Sequence, residues 1–381
     1  MLGVCVGTAA LIIVLSVFNG LEELNRTIFK SSDPDIKINS ANSKSFEFNE
    51  QTFLKIKSLN GVSHITQVIE DNALAKREED QIIVQVKGVD STFQLYSPLK
   101  ANVIEGELLL NYKEEPFAFV GGGVYNTLNL QSFNYLRQLE IWYPRNQKLN
   151  VLDPESNINK ITLPVSGVFV LEQQFDNMVY LPISLMEKLT DMHGRRTSFE
   201  IQVKDDSQIP KLKAELKTIL GANFNIKDRD EQNASLYRAI KIEKLFIFIA
   251  LLFIIGIASF NIFFALTMLV LDKKEDIKTL SALGASPSLV KRIFLSEGGI
   301  ISLTGGFIGM LIGVGICWSQ MHFGWLKMGM QYAIVDAYPI LLKSSDVILS
   351  LLGISIIAFL ASYFPAIKAV KFMNESKTVI S

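Results

Sequence analysis

Three stretches of this chain carry no charge over lengths that constrain everything else. They are 245–271 (LFIFIALLFIIGIASFNIFFALTMLVL), 298–321 (GGIISLTGGFIGMLIGVGICWSQM) and 347–367 (VILSLLGISIIAFLASYFPAI). Each exceeds the roughly 20 residues that a helix needs to cross a hydrocarbon core. A helix buried in a soluble protein is the alternative for any one of them. Three together, in a chain that is 49% hydrophobic with a mean hydropathy of +0.28, point to the membrane class. The N-terminal run MLGVCVGTAALIIVLSVFNGL is uncharged up to Glu22 and is long enough to be a further span. A cleaved signal peptide is its rival, but the run lacks a basic leader and a small-x-small cleavage site. It reads as a first transmembrane helix with an abrupt start that suggests truncation.

Orientation follows from the basic residues. The short loop 272–292 holds Lys273, Lys274, Lys278, Lys291 and Arg292, and the C-terminal tail adds Lys368, Lys371 and Lys377. The connection 322–346 has only Lys327 and Lys343. The positive-inside rule therefore places 272–292 and the tail in the cytoplasm. Counting back, the polar segment from about residue 22 to 243 lies outside, between the first and second spans. The expected fold is four transmembrane α-helices with a large α+β extracytoplasmic domain inserted between the first and second. In order, the expected parts are span 1–21, outer domain 22–227, connector helix 228–244 and span 245–271. There follow a cytoplasmic turn 272–292, span 293–321, outer loop 322–346, span 347–367 and tail 368–381. The net charge of −1 offers no global field for nucleic acid.

The insert is rich in alternating runs, such as QIIVQVKGVD, RQLEIWY, KITLPVSGVFVL and FEIQVKD, which read as strands. Helices are expected at 49–59, 183–190 and 207–220, a mixture that points to α+β rather than a regular βαβ array. Residues 144–160 (PRNQKLNVLDPESNINK) break the pattern and read either as a projecting hairpin or as a disordered connector. From 228 to 244, Leu236, Ala239, Ile240 and Glu243 recur at helical spacing behind Asp228, a candidate N-cap. That helix is either a stiff link running into the second span or an ordinary interfacial helix.

Motifs for enzyme chemistry are missing. No GxxxxGK[ST], HExxH, CxxC or GxSxG occurs, so the chain binds no nucleotide through a phosphate-binding loop. His64, His193 and His322 are far apart, and Cys5 and Cys317 both fall in apolar runs, as small buried residues do. The run Glu78–Asp80 reads as a solvated loop, and GGG at 121–123 as a turn. Gly305, Gly309 and Gly313 recur every four residues, which either makes a smooth face for helix packing or reflects the general glycine enrichment of membrane helices. Asn261 and Glu297 are expected to face protein rather than lipid.

The charged stretch between the second and third spans has its own helical grammar. Asp272 is a candidate cap with Glu275 in the reciprocal capping-box position. Ile277, Leu280 and Leu283 make an apolar face, and Gly284 supplies a left-handed stop. Ser286 then caps a second helix with Pro287 at its first position, and Leu289, Val290, Ile293 and Phe294 lead back to the membrane. The result is a short elbow helix at the cytoplasmic surface.

At these residues the chain resembles a known family. LVLDKKEDIKTLSALGASPSLVKRIFLSEG is similar to the signature of the FtsX-like, MacB-type ABC transporter permeases: an acidic–basic run, an LGAS turn, a basic-aromatic return and an E-G before a glycine-rich span. VLSVFNGLEE, VQVKGVD, VIEGELL and GVFVLEQQFDNMVYLPISLMEKL resemble the lipoprotein-releasing permeases of the LolC/LolE type. The resemblance implies a non-catalytic subunit in the bacterial inner membrane, paired with an identical copy or a paralogue. A separate cytoplasmic ATPase dimer would use ATP and magnesium, and this chain would bind no cofactor. In that family the elbow is a coupling helix seated in a groove of the ATPase. Carried over, Glu275, Asp276, Thr279, Leu280, Gly284, Ala285 and Ser286 are its contact positions.

The resemblance further implies a lipoprotein cargo handed to a periplasmic carrier. A cleft at spans one and two would hold the cargo, with Val14, Phe18, Phe260 and Phe264 as contacts. The loop 144–160 falls where such permeases carry a carrier-binding hook, though it matches no hook motif closely. The family's closing P-x-x-x-A-x-x-x-[ND]-P pattern is partly kept by Pro365, Ala369 and Asn374, with Glu375 where proline is usual. Two other readings use the same machine. A MacB-like efflux or mechanotransmission permease has a single-chain form with a fused ATPase, whose motifs this sequence lacks. An FtsX-like regulator of a cell-wall hydrolase generally has a much smaller outer domain.

Overall fold

The computed structural model describes residues 1–113, 115–145, 157–171, 175–328 and 337–380, with side chains as far as Met373. The chain divides into two compact units. One holds Met1–Asn25 and most of the chain after Ser235; the other is Arg26–Ala234.

The first unit is helical. Four helices, Leu2–Ser32, Ala234–Asp272, Pro287–Phe323 and Ser344–Ile380, contain windows long and apolar enough to cross a membrane. Each outruns the uncharged stretch from which it was expected, since a helix needs only continued backbone pairing, not apolar side chains, to go on. The fourth continues through Pro365 into the expected tail. The N-terminal helix is central, with 50% of its most apolar window buried, whereas the second helix buries only 17%. Leu11 and Leu15 pack with Ile255, Ile262 and Ile354 from the second and fourth helices.

The third helix meets the first through its glycine row. A Cβ at Gly305 would stand 3.0 Å from the carbonyl oxygen of Met1, and one at Gly313 would stand 3.1 Å from that of Ala9. At Gly309 it would overlap the carbonyl of Cys5. Met1, Cys5 and Ala9 are themselves four residues apart, so two matching i, i+4 rows lie backbone against backbone. Asn261, expected against protein, is exposed in this chain, because its neighbour Ile262 takes the inward position of that turn; Glu297 is half-buried.

The second unit is α+β. Among the described residues it is built on an eleven-stranded mixed sheet. Its strands are β1 (Ile36–Ser40), β2 (Val62–Arg77), β3 (Asp80–Val89), β4 (Val103–Gly106), β5 (Ala118–Gly121) and β6 (Leu139–Pro144). They continue with β7 (Ile158–Leu163), β8 (Val165–Phe169), β9 (Met178–Pro182), β10 (Ser198–Val203) and β11 (Phe224–Asp228). The spatial order is β11-β1-β10-β2-β3-β9-β5-β8-β4, with β6 also pairing β2 and β7 pairing β6. Helices Glu50–Lys57 and Ile209–Leu220 cover one end of the sheet through Ile56, Leu212 and Leu216, and Ile183–Thr190 covers the other through Met186 and Leu189.

Several local expectations change. The segment 121–123 is not a turn: β5 passes directly into a helix, Gly122–Thr127, and its glycines admit the backbone of Asp176 where a side chain would collide. Asp228 does cap a helix, but only Arg229–Gln232, with Glu231 completing a capping box; a separate helix starts at Ala234 and runs into the second span. The middle of the 144–160 segment, residues 146–156, lies outside the described residues. Its flanks pair as antiparallel strands, with Pro144 opposite Ile158.

Candidate functional site

The charged stretch folds as an elbow, but not with the expected cap. Asp272 is the last residue of the second long helix, and the elbow helix Lys274–Ala282 begins after Lys273 with no side-chain cap. The chain turns within one residue, which leaves no room for a carboxylate to reach back over a first turn. Gly284 ends the elbow at φ 90°, where a Cβ would be strained. Ser286 then accepts from the amide of Leu289 at 3.3 Å, with Pro287 opening the third long helix.

The expected apolar face also divides. Ile277 is buried with Val270, Val290, Phe294, Ala366, Ala369 and Met373, so the elbow is seated on the second, third and fourth long helices. Leu280 and Leu283 point away and are exposed, Leu283 by 79%. Ile277 and Ser281, four residues apart, share the inward side of a nine-residue helix; Leu280 lies off that side, and Leu283 follows the helix's last residue, Ala282. Leu289 and Ile293 are exposed as well, while Val290 and Phe294 are buried.

Of the seven expected contact positions, Glu275, Asp276, Thr279, Leu280, Gly284 and Ser286 are exposed, and Ala285 is half-buried. Lys278 pairs with Glu275 at 2.7 Å and Lys273 with Asp276 at 3.0 Å, exposed contacts that fix little energy. What remains is a free surface of two leucines rimmed by paired charges. Leu283, expected on the elbow's apolar face but not among the contact positions, is part of it, and no sequence signal separates it from Ile277.

A second feature is an apolar groove of about 540 Å³ between the second and fourth long helices. Phe253, Ile257, Phe260, Leu360 and Phe364 are among its lining residues. Phe260 is the one expected cargo contact that lines it. Phe264 is exposed beyond it, and Val14 and Phe18 are half-buried on the first helix. The first and second helices of this chain touch directly, Gly3 on Ala258 and Gly7 on Ile255, so no cleft opens between those two stretches.

The α+β unit holds a polar cleft of about 680 Å³ on one sheet face. Four adjacent strands contribute alternating charges. Lys37 of β1 lies opposite Glu200 of β10, and Glu70 of β2 lies opposite Lys87 of β3. Lys87 reaches Glu200 at 2.8 Å and Lys37 reaches Glu70 at 2.9 Å. Burial alone would depress the Lys87 amine, but Glu200 and Glu70 outweigh it and raise its pKa above the ordinary lysine value. Burial likewise opposes ionisation of Glu70, and Lys37 with Lys87 prevails and holds it below the usual carboxylate range. Among the described residues no group of His, Cys, Asp and Glu could hold a metal ion.

Two family models match the chain. The MacB-like periplasmic core domain matches residues 1–219, and the FtsX-like permease C-terminal domain matches 248–372. The chain belongs to the FtsX-like, MacB-type ABC transporter permeases. Four apolar helices with a MacB-like α+β domain fit a membrane protein whose α+β domain is periplasmic. The permease is 24% identical to the lipoprotein-releasing system transmembrane protein LolE of Haemophilus influenzae, over 97% of this chain and 91% of that one. It is 25% identical to LolC of Neisseria meningitidis, over 97% and 90%. The periplasmic region of MacB from Actinobacillus actinomycetemcomitans superposes at a TM-score of 0.36 with 13% identity, covering 54% of this chain and 94% of that one, too weakly to bear on the fold.

Proposed function

We propose that this permease is the transmembrane subunit of a system that extracts lipoproteins from the inner membrane of a bacterium with two membranes. Similarity to named lipoprotein-releasing permeases along nearly the whole chain carries the reading. The permease spans the membrane four times, with 272–292 cytoplasmic and the MacB-like domain outside between the first and second spans. It works beside a second permease, identical or paralogous, over a dimer of ATPase subunits that bind the ATP and magnesium. The ATPase docks on the exposed elbow face through Glu275, Asp276, Thr279, Leu280, Leu283, Gly284, Ala285 and Ser286. The Phe260 groove takes an acyl chain of the cargo, because an apolar trough open to lipid suits a hydrocarbon chain and little else. The periplasmic domain passes the released lipoprotein toward a soluble carrier.

Depletion in cells followed by fractionation tests this directly. Outer-membrane lipoproteins should accumulate in the inner membrane; their normal arrival in the outer membrane would end the proposal. Leu280→Asp should abolish co-purification of the ATPase while membrane insertion persists. A second reading, MacB-like efflux, is favoured by the match of the MacB-like core to residues 1–219. It predicts that depletion leaves lipoprotein sorting intact and sensitises cells to an exported compound.

A further inference from the structure

Asn19, Lys244 and Asp346 come from the first, second and fourth long helices, and each touches the other two. Asn19 Nδ2 donates to Asp346 Oδ2 at 2.7 Å, and Lys244 Nζ donates to Asn19 Oδ1 at 2.8 Å and to Asp346 Oδ2 at 2.7 Å. Asn19 is fully buried, and its amide also donates to the carbonyl of Leu341 at 3.2 Å. The charged side chains are 23% and 16% exposed. The residues around the triad tighten the same corner. Leu341 N donates to the carbonyl of Ser16 at 2.9 Å, Lys343 stands 3.5 Å from Glu22, and Gly20 lies against the backbone of Pro339 and Ile340 with no space for a Cβ.

Position makes this more than a surface ion pair. Lys244 immediately precedes the uncharged run 245–271, and Asp346 immediately precedes 347–367. Ionisable groups at such boundaries ordinarily turn toward water and headgroups. Here they turn inward onto a buried amide, where charge-assisted hydrogen bonds are strong and water competes poorly. An Asn with both N–H groups and its oxygen engaged also fixes the geometry, because neither charge can leave without stranding it.

The second helix carries Lys244 near one end and meets the elbow at the other. Those points are about 42 Å apart at 1.5 Å per residue. A push on the elbow therefore acts on a long rod that packs lightly, and at its far end the triad adds hydrogen bonds to two other helices beside the apolar contacts of Phe248, Leu251 and Leu252. We propose that Asn19, Lys244 and Asp346 form a joint that makes the first, second and fourth helices move as one body when the partner ATPase acts on the elbow. The three are positioning residues, and the proposal rests on the reading of an ATPase-driven permease but not on the identity of its cargo.

Spin labels test it in the complete permease–ATPase complex in lipid nanodiscs. Cys5→Ser and Cys317→Ala remove the native thiols, and the exposed Leu245→Cys and Ile348→Cys carry the labels on the second and fourth helices. With the joint intact, the distance between labels should be the same with and without ATP. In Lys244→Met it should broaden or shift on ATP addition, and lipoprotein released per ATP hydrolysed should fall about tenfold while hydrolysis stays within about twofold of wild type. The swap Lys244→Asp with Asp346→Lys should restore both readouts, which separates the joint from a general loss of folding. Labels that part in the wild-type protein on ATP addition would overturn the joint, as would labels that stay fixed in Lys244→Met. So would release, hydrolysis and melting temperature all falling in proportion. A wild-type complex that hydrolyses ATP and releases no lipoprotein counts against the cargo reading alone, because the label distances still judge the joint.

Discussion

Lys87 is the residue where charge is most deeply committed. It is nearly inaccessible, and two carboxylates, Glu70 of β2 and Glu200 of β10, hold it ionised. Lys87→Met would leave Glu70 and Glu200 buried with one counter-charge fewer. Removing one partner of a buried pair costs about 3–5 kcal/mol, far more than the pair contributes over an apolar substitute. The pH dependence has a definite sign. The pKa of folded Glu70 lies below its ordinary 4.5, so its stabilisation is complete above that pH and is lost as pH falls through the lower folded value. In Lys87→Met, Glu70 keeps only Lys37 against the cost of its burial, so its carboxyl should move upward and its protonation should cost less stability. The variant should melt well below wild type at pH 7 and gain on it as pH is lowered toward 5, read by differential scanning fluorimetry of the purified permease. A variant with unchanged pH dependence would show that the charges across these strands are not coupled. Nothing in the sequence announces this cluster: Lys37, Glu70, Lys87 and Glu200 are scattered over 164 positions and meet only through strand register.

At the scale of elements, the glycine row illustrates what periodicity can and cannot say. The four-residue spacing of Gly305, Gly309 and Gly313 identifies a smooth helix face, but not the helix that lies on it. The structure puts the first helix there, with Gly309 closest. A side chain at that point must drive two backbones apart, and overpacking of this kind costs about 1–3 kcal/mol or more. Gly315, on the same helix, faces open space. Gly309→Leu should therefore lower the melting temperature sharply or prevent accumulation in the membrane, while Gly315→Leu should be close to neutral. Equal effects would mean that glycine content matters rather than this contact. The elbow carries a similar lesson. Its stop at Gly284 and restart at Ser286 and Pro287 were legible because capping is local chemistry. Its inward face was not, since Ile277, Leu280 and Leu283 are equally apolar and only the seat formed by Val270, Phe294 and Ala366 selects among them.

For the whole molecule, the placement of charge predicts sidedness. The domain between the first two long helices should be reachable from outside and the elbow from the cytoplasm. Ser43→Cys and Ala282→Cys lie at exposed positions in the two regions. In a variant without the native cysteines, a membrane-impermeant maleimide applied to spheroplasts should label the first, and the second only after lysis. Labelling of both before lysis, or of Ala282→Cys alone, would invert or discard the topology. By itself the sequence determined four helices apolar and long enough to cross a membrane, the mixed α+β insert and the elbow with its stop at Gly284 and restart at Ser286. Those properties follow from composition, period and capping within a few turns of chain, and near neighbours decide them. The direct seating of the first helix on the second, the groove shared by the second and fourth, the charge ladder across four strands and the triangle of Asn19, Lys244 and Asp346 were decided only by tertiary structure. Each joins residues from far along the chain, and the energy that selects them is packing and desolvation between surfaces that no local pattern encodes.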